Sequence, residues 1–112
     1  MKANRLGATL FCLISLSGLA ALYAAGHQPS ELFVQKCSKC HGEDGRADTP
    51  KGKKLKAQDF TDSDFQQHKT DEQLIEAVTN GTDKDMPAFG KVLTPDQIQS
   101  LVKADVRAFG RG

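Results

Sequence analysis

Cys37-Ser38-Lys39-Cys40-His41, CSKCH in one-letter form, is the stretch on which the fold of this 112-residue chain turns. Two thiols three positions apart, with an imidazole immediately after, fit three chemistries: a dithiol redox switch, half of a zinc site, or an attachment point for haem. The rest of the chain decides among them.

Upstream lies an export signal. Lys2 and Arg5 precede an uncharged run from Leu6 to Gly26, the profile of a secretory peptide. Small residues at Ala24, Ala25 and Gly26 place a cut between 24 and 26, so residues 1–24 are expected to be signal and 25–112 the folded domain. The alternative is an uncleaved anchor, since about 20 apolar residues suffice to cross a bilayer. Either way the remainder is exported, and periplasmic residence is the expectation. Cys12 lies inside the run, which leaves Cys37 and Cys40 as the thiols of the domain.

That domain is poor in core formers, with five Phe, no Trp and no Tyr beyond the signal. Below about 70–80 residues side chains rarely suffice alone, and this domain is only slightly longer. Something besides side chains is therefore expected in the middle. Without Lys2 and Arg5 the chain has 13 basic against 14 acidic residues, too neutral for a general nucleic-acid binder. Lysines 36, 39, 51, 53, 54 and 56 nevertheless crowd around and after the motif, as a solvated loop or a docking patch.

Three helices and long loops are predicted. Ser30 caps the first, placing Phe33, Cys37 and Cys40 on one face. From Gly42 to Lys69 no helix or strand period holds, and Leu55, Phe60 and Phe65 are isolated anchors in a loop wrapped over something. Thr70 to Gln73 is a capping box, Leu74, Ile75 and Val78 form a buried stripe, and Asn80-Gly81 is the stop. In the last helix Thr94 caps, Pro95 takes the first position, Gln97 completes the box, and Gly110 offers a left-handed exit. Ile98, Leu101, Val102, Val106 and Phe109 make its apolar face. Asp105 falls almost in the middle of that stripe, where a carboxylate must find a partner.

Thiol oxidoreductases place such a pair at a helix start after a strand, and no strand is evident here. A closed zinc site needs four ligands, and His27 and His68 stand singly and far apart. Gly42 and Gly45 follow no strand, so a phosphate cradle finds no support. The third chemistry fits: Cys37 and Cys40 attach one haem c through thioethers and His41 ligates its iron. For the opposite axial position Met86, in DKDMPAFG, is the candidate, with Pro87 stiffening the backbone behind its sulfur. Its rival is His68, while His27 is expected to be an exposed bystander. No catalytic base is required by this reading.

With LFVQKCSKCHGEDG, TDEQLIEAVTNG and MPAFGKVLTPDQIQSLV in place, the chain from Leu32 to Phe109 resembles the small monohaem class I cytochromes c of bacterial periplasms. The resemblance implies an all-α fold of short helices and long loops around one covalent haem. It also implies His41 and Met86 as axial ligands, and electron exchange with partner redox proteins. Two alternatives stay open: a haem enzyme or gas-binding sensor in which Met86 is labile, and a membrane-tethered subunit of a larger redox complex. Membrane contact is expected only if the N-terminal run is retained. The hydrogen-bond partner of His41 is expected to be a backbone carbonyl, with Pro50 as candidate. Two positions depart from the family. Pro29 stands where Gly is usual, four before Phe33, and Asp105 replaces an aromatic in the last helix. In the family these two positions meet where the terminal helices cross. Either Asp105 accepts hydrogen bonds from the N–H groups opening the first helix near Ser30 and Glu31, or the crossing shifts and leaves it in water.

Overall fold

The computed structural model describes residues 26–112. The signal or anchor expected over residues 1–24 lies outside the described residues. Among the described residues seven α-helical segments, none longer than ten residues, follow in order: α1 (Glu31–Lys36), α2 (Ser38–His41), α3 (Pro50–Leu55), α4 (Ser63–His68), α5 (Asp71–Asn80), α6 (Pro95–Ser100) and α7 (Arg107–Phe109). A π-helical stretch, Leu101–Val106, joins α6 to α7. No strand occurs among the described residues, in keeping with the expected all-α architecture.

Local chemistry starts and stops these helices. Ser30 Oγ accepts the Phe33 N–H at the head of α1. Thr70 with Gln73, and Thr94 with Gln97, form reciprocal capping boxes at α5 and α6. Gly81, at φ +75°, ends α5 in a conformation that a side chain resists. The first helix is not continuous through the motif. Cys37, at φ −120°, serves as C-cap of α1 and N-cap of α2, so the second cysteine and His41 lie on a separate short turn.

Two further expectations need correction. The stretch from Gly42 to Lys69 is not only loop, because it carries α3 and α4. Thr49 caps α3 with Pro50 at the first position, and Asp62 caps α4 by accepting the Asp64 and Phe65 N–H groups. Six-residue helices show less than two full periods, so the hydrophobic rhythm that reveals a longer helix has no room to appear. Gly110, for its part, sits at φ −78° in the right-handed region. Its smallness matters for packing instead, since a Cβ there would lie 2.5 Å from the Gln66 side chain.

The core forms where the two ends of the chain cross. Phe33 of α1, 1% exposed, packs its ring against Phe109 of α7 and Phe60, at centroid distances of 5.1 and 6.3 Å. Ile98, Leu101, Val102 and Val106 complete that side, while Leu74 and Val78 bring in α5. Burying a side chain the size of Phe33 contributes roughly 2–3 kcal/mol. Asp105 sits within this apolar surround at 1% exposure. Its Oδ1 accepts the Ser30 N–H at 2.8 Å and its Oδ2 accepts the Ser30 hydroxyl at 2.6 Å. The carboxylate thus satisfies the opening of α1, and the crossing is not shifted into water. His27 joins it, donating Nε2–H to Oδ1 at 2.9 Å, so it is no exposed bystander.

A second polar clasp fixes α4 to the C-terminus. Gln66 donates to the Phe60 and Val106 carbonyls at 2.7 and 2.8 Å. Arg107 reaches Asp71, the Gln66 carbonyl and the Lys69 carbonyl with different nitrogens of one guanidinium. These bonds hold the 59–71 segment across the last helix, which positions the wall opposite α1.

Candidate functional site

The motif is held from behind by α3. Gly52 lies so close to α2 that a Cβ would stand 2.1 Å from the Cys40 carbonyl oxygen, so only glycine permits this approach. Thr49 adds two hydrogen bonds from its hydroxyl, to the Lys39 and Cys40 carbonyls at 2.8 and 3.0 Å. Beyond His41 the chain closes into a tight loop. Gly42 takes φ +76°, the Ala47 N–H donates to the His41 carbonyl at 2.7 Å, and the Phe60 N–H donates to the Gly45 carbonyl at 2.8 Å. Gly45 also lets the Phe109 ring approach, since a Cβ would lie 2.6 Å from it.

His41 is buried, at 8% exposure, and its ring stacks on Phe60 with centroids 4.3 Å apart. Its Nδ1–H donates to the Gln58 carbonyl at 2.9 Å. The expected partner was the carbonyl of Pro50, but Pro50 opens α3 and its carbonyl is turned into the helix. Gln58 follows the left-handed turn at Lys56, which swings the backbone back toward the motif. With Nδ1 occupied, the Nε2 lone pair is the one available to a metal. Burial lowers the pKa of His41 below the ordinary histidine value, against an opposing push from the Gln58 bond. The ring is therefore held neutral, as a ligand must be.

Cys37 and Cys40 are half-buried and unbridged. Burial, the charge of Asp105 and the neighbouring Cys40 push the Cys37 thiol up to about 11. A dithiol redox switch needs the opposite shift, toward a stable thiolate. Among the described residues no group of three His, Cys, Asp or Glu side chains is placed to hold a metal ion. The donor set fits a haem instead: two unpaired sulfurs one turn apart, then a neutral, oriented imidazole at the edge of an apolar core.

Met86 is half-buried and packs against the same core that Cys37 borders. Its loop is docked on the end of α5 by the Phe89 N–H to the Val78 carbonyl and the Gly90 N–H to the Thr79 carbonyl, both 2.9 Å. Thr82 closes the loop by donating to the Met86 carbonyl at 3.1 Å, and a Cβ on Gly81 would strike that carbonyl at 2.7 Å. Cys37, His41 and Met86 thus surround one core. His68 does not join them, because it lies exposed on α4 with Nδ1–H donating to the Asp64 carbonyl of its own helix. His27 and Gln58 were missed as contributors. A backbone carbonyl has no sequence signal, and the pairing of His27 with Asp105, 78 residues apart, is visible only in the fold.

Comparison with known proteins agrees with the geometry. The family model described as cytochrome C oxidase, cbb3-type, subunit III matches residues 24–103. The cbb3-type cytochrome c oxidase subunit FixP of Azorhizobium caulinodans is 33% identical over 88 residues, which is 78% of this chain and 29% of that protein. The chain thus spans less than a third of the length of this curated relative. Among solved structures, the KustC0563 c-type cytochrome is 40% identical with a TM-score of 0.64, covering 70% of this chain and 92% of the other. A tyrosine-to-phenylalanine mutant of the same cytochrome gives 41% identity and a TM-score of 0.63, covering 70% and 93%. A buried, oriented histidine behind an unbridged cysteine pair, on a helical scaffold shared with c-type cytochromes, leaves one conclusion: the chain belongs to the cytochrome c family, as a small class I c-type cytochrome.

Proposed function

We propose that Cys37 and Cys40 hold a single haem c covalently, that His41 and Met86 are its axial ligands, and that the chain shuttles electrons between redox proteins outside the cytoplasm. The observation that carries this reading is the fixed imidazole of His41, with Nδ1–H on the Gln58 carbonyl and Nε2 left for iron. When bound, the haem iron supplies a one-electron ferric/ferrous couple. The protein's part is to bind, orient and exclude water. Gly52 and Thr49 hold the sulfurs in register with His41. Phe33, Phe60 and Phe109 supply a dry apolar wall, and the docked 81–90 loop keeps Met86 packed against the same core. A site preorganised in both ligands needs little rearrangement when charge changes, which favours transfer over substrate binding.

Spectroscopy of the purified exported protein tests the reading. Haem that resists acid extraction and shows the c-type reduced spectrum supports attachment, and the long-wavelength ferric band supports Met86. Rapid carbon monoxide binding to the native ferrous protein would favour the sensor or enzyme alternative. Intact free thiols at Cys37 and Cys40 would overturn the whole assignment.

The similarity to an oxidase subunit supports a respiratory oxidase as one class of partner. Among the described residues no helix is long and apolar enough to cross a membrane. N-terminal sequencing of the exported protein separates a free carrier from a tethered subunit.

A further inference from the structure

A buried carboxylate ties the two ends of the domain together, and one of its three donors can change charge. Asp105, 1% exposed, accepts from the Ser30 N–H, the Ser30 hydroxyl and His27 Nε2–H at 2.8, 2.6 and 2.9 Å. The Ser30 donors are permanently neutral. His27 differs: its side chain keeps 20% exposure, and its ring stands edge-on to Phe109 at 4.9 Å. With Nε2–H on the carboxylate, Nδ1 is the nitrogen open to a second proton.

Charge at this place is felt at the motif. Asp105 is the first charged contributor, after burial, to the rise of the Cys37 thiol, and α1 runs from Ser30 at the carboxylate to Lys36 beside Cys37. Glu31 is exposed in the first turn of α1, Lys103 is exposed on the π-helical stretch, and Arg107 is turned away onto Asp71 and α4. Phe109 contributes only an apolar ring from α7. Cys37 stops titrating once its sulfur is a thioether.

We propose that His27 and Asp105 form a proton-linked pair that tunes the reduction potential of this cytochrome, an inference resting on haem attachment at Cys37. The electron passes from an external redox partner to the iron, and the compensating fraction of a proton passes from solvent to His27 Nδ1, with no heavy-atom bond made or broken. The sign follows from Coulomb's law. A carboxylate whose field reaches the motif favours the ferric state, whereas an imidazolium beside it offsets that field and favours the ferrous state. The midpoint potential therefore rises as pH falls through the titration of His27. By reciprocity, reduction tightens proton binding at His27 by the same factor.

The test is the midpoint potential of the haem-loaded protein from pH 5 to 8, for the native chain, His27→Gln and Asp105→Asn, together with NMR titration of the His27 ring in both oxidation states. The native ferrous-to-ferric ratio at fixed ambient potential should grow by about two- to tenfold on acidification, about 18 to 59 mV for one electron. His27→Gln, whose amide can donate the same bond without titrating, should flatten that response. Asp105→Asn, which removes the negative charge, should raise the potential throughout. His27 should titrate at higher pH in the ferrous protein. A flat native potential, an unchanged slope in His27→Gln, or identical His27 titrations in the two oxidation states would overturn the proposal, even with an ordinary haem spectrum. Absence of covalent haem would overturn the attachment reading, and this proposal with it.

Discussion

Asp105 is a carboxylate in the middle of an apolar stripe, and its cost is offset only by the donors it meets. Asp105→Ala would strip the Ser30 N–H, the Ser30 hydroxyl and His27 of their common acceptor at once. Breaking a buried charged cluster by removing one member typically costs about 3–5 kcal/mol, and the water-accessible side of His27 places this case near 3 kcal/mol. Asp105→Asn keeps one acceptor oxygen but turns an amide donor toward other donors, so about 1–2 kcal/mol is expected. Urea unfolding of the haem-loaded protein at neutral pH measures both, and equal stability of all three proteins would contradict the packing described. Gly52 makes the opposite kind of demand. A methyl group there cannot coexist with the Cys40 carbonyl at 2.1 Å, so Gly52→Ala must push α3 off α2. A loss of about 1–3 kcal/mol is expected from such overpacking. A lower yield of attached haem, read from absorbance per protein, should accompany it because α3 is what holds the motif.

At the scale of elements, the short helices depend on their ends more than on their interiors. Lys56 ends α3 at φ +52°, a left-handed position that costs most side chains about 1 kcal/mol or more. Its side chain is exposed, so Lys56→Gly should raise stability by about 0.5–1 kcal/mol with the spectrum unchanged. A thermal melt checks this, and a decrease would mean that the lysine is engaged in more than capping. Thr70→Ala and Thr94→Ala should each cost about 1 kcal/mol by removing a capping box. These caps also explain what could be read from the sequence. The α5 and α6 boundaries were legible because Thr, Gln, Pro and Gly stand at fixed offsets around apolar stripes. The motif stood out because residue type and spacing carry its chemistry directly, and Met86 was singled out by the Pro-flanked loop around it. Helices α3 and α4 were not, since Thr49-Pro50 and Asp62 are start signals with no apolar period behind them. The widening of the last helix to π geometry over Leu101–Val106 was not legible either. Its side-chain stripe keeps the three-and-four spacing, so only the backbone reveals it. The role of Asp105 was anticipated at Ser30, because a misplaced charge is itself a signal, whereas its bond to His27 required the fold.

For the whole molecule, charge is divided rather than balanced. Between residues 36 and 56 there are seven basic and three acidic side chains, whereas residues 57–85 carry two basic and eight acidic. Packing of α3 on α2 gathers lysines 36, 39, 51, 53, 54 and 56 around the motif, all exposed, and among the described ion pairs only Lys53 of the six takes part, with Asp48 at 2.8 Å. Such an exposed pair contributes little to stability, so the cluster has no evident structural work. It is suited to long-range attraction, which orients an approaching anion toward the motif and weakens within a Debye length of about 8–10 Å at ordinary salt. Small redox reagents isolate this effect from any particular partner. Oxidation of the ferrous protein by anionic ferricyanide should slow as ionic strength rises, whereas oxidation by a cationic cobalt complex should not. Reversing Lys51 and Lys54 to Glu should lower the low-salt ferricyanide rate by about tenfold, as steering effects of this size do. The same variant should leave the melting temperature nearly unchanged, because both side chains are exposed and outside the described ion pairs. A ferricyanide rate indifferent to salt and to these reversals would place the point of electron exit on another face of the molecule, away from α2 and α3.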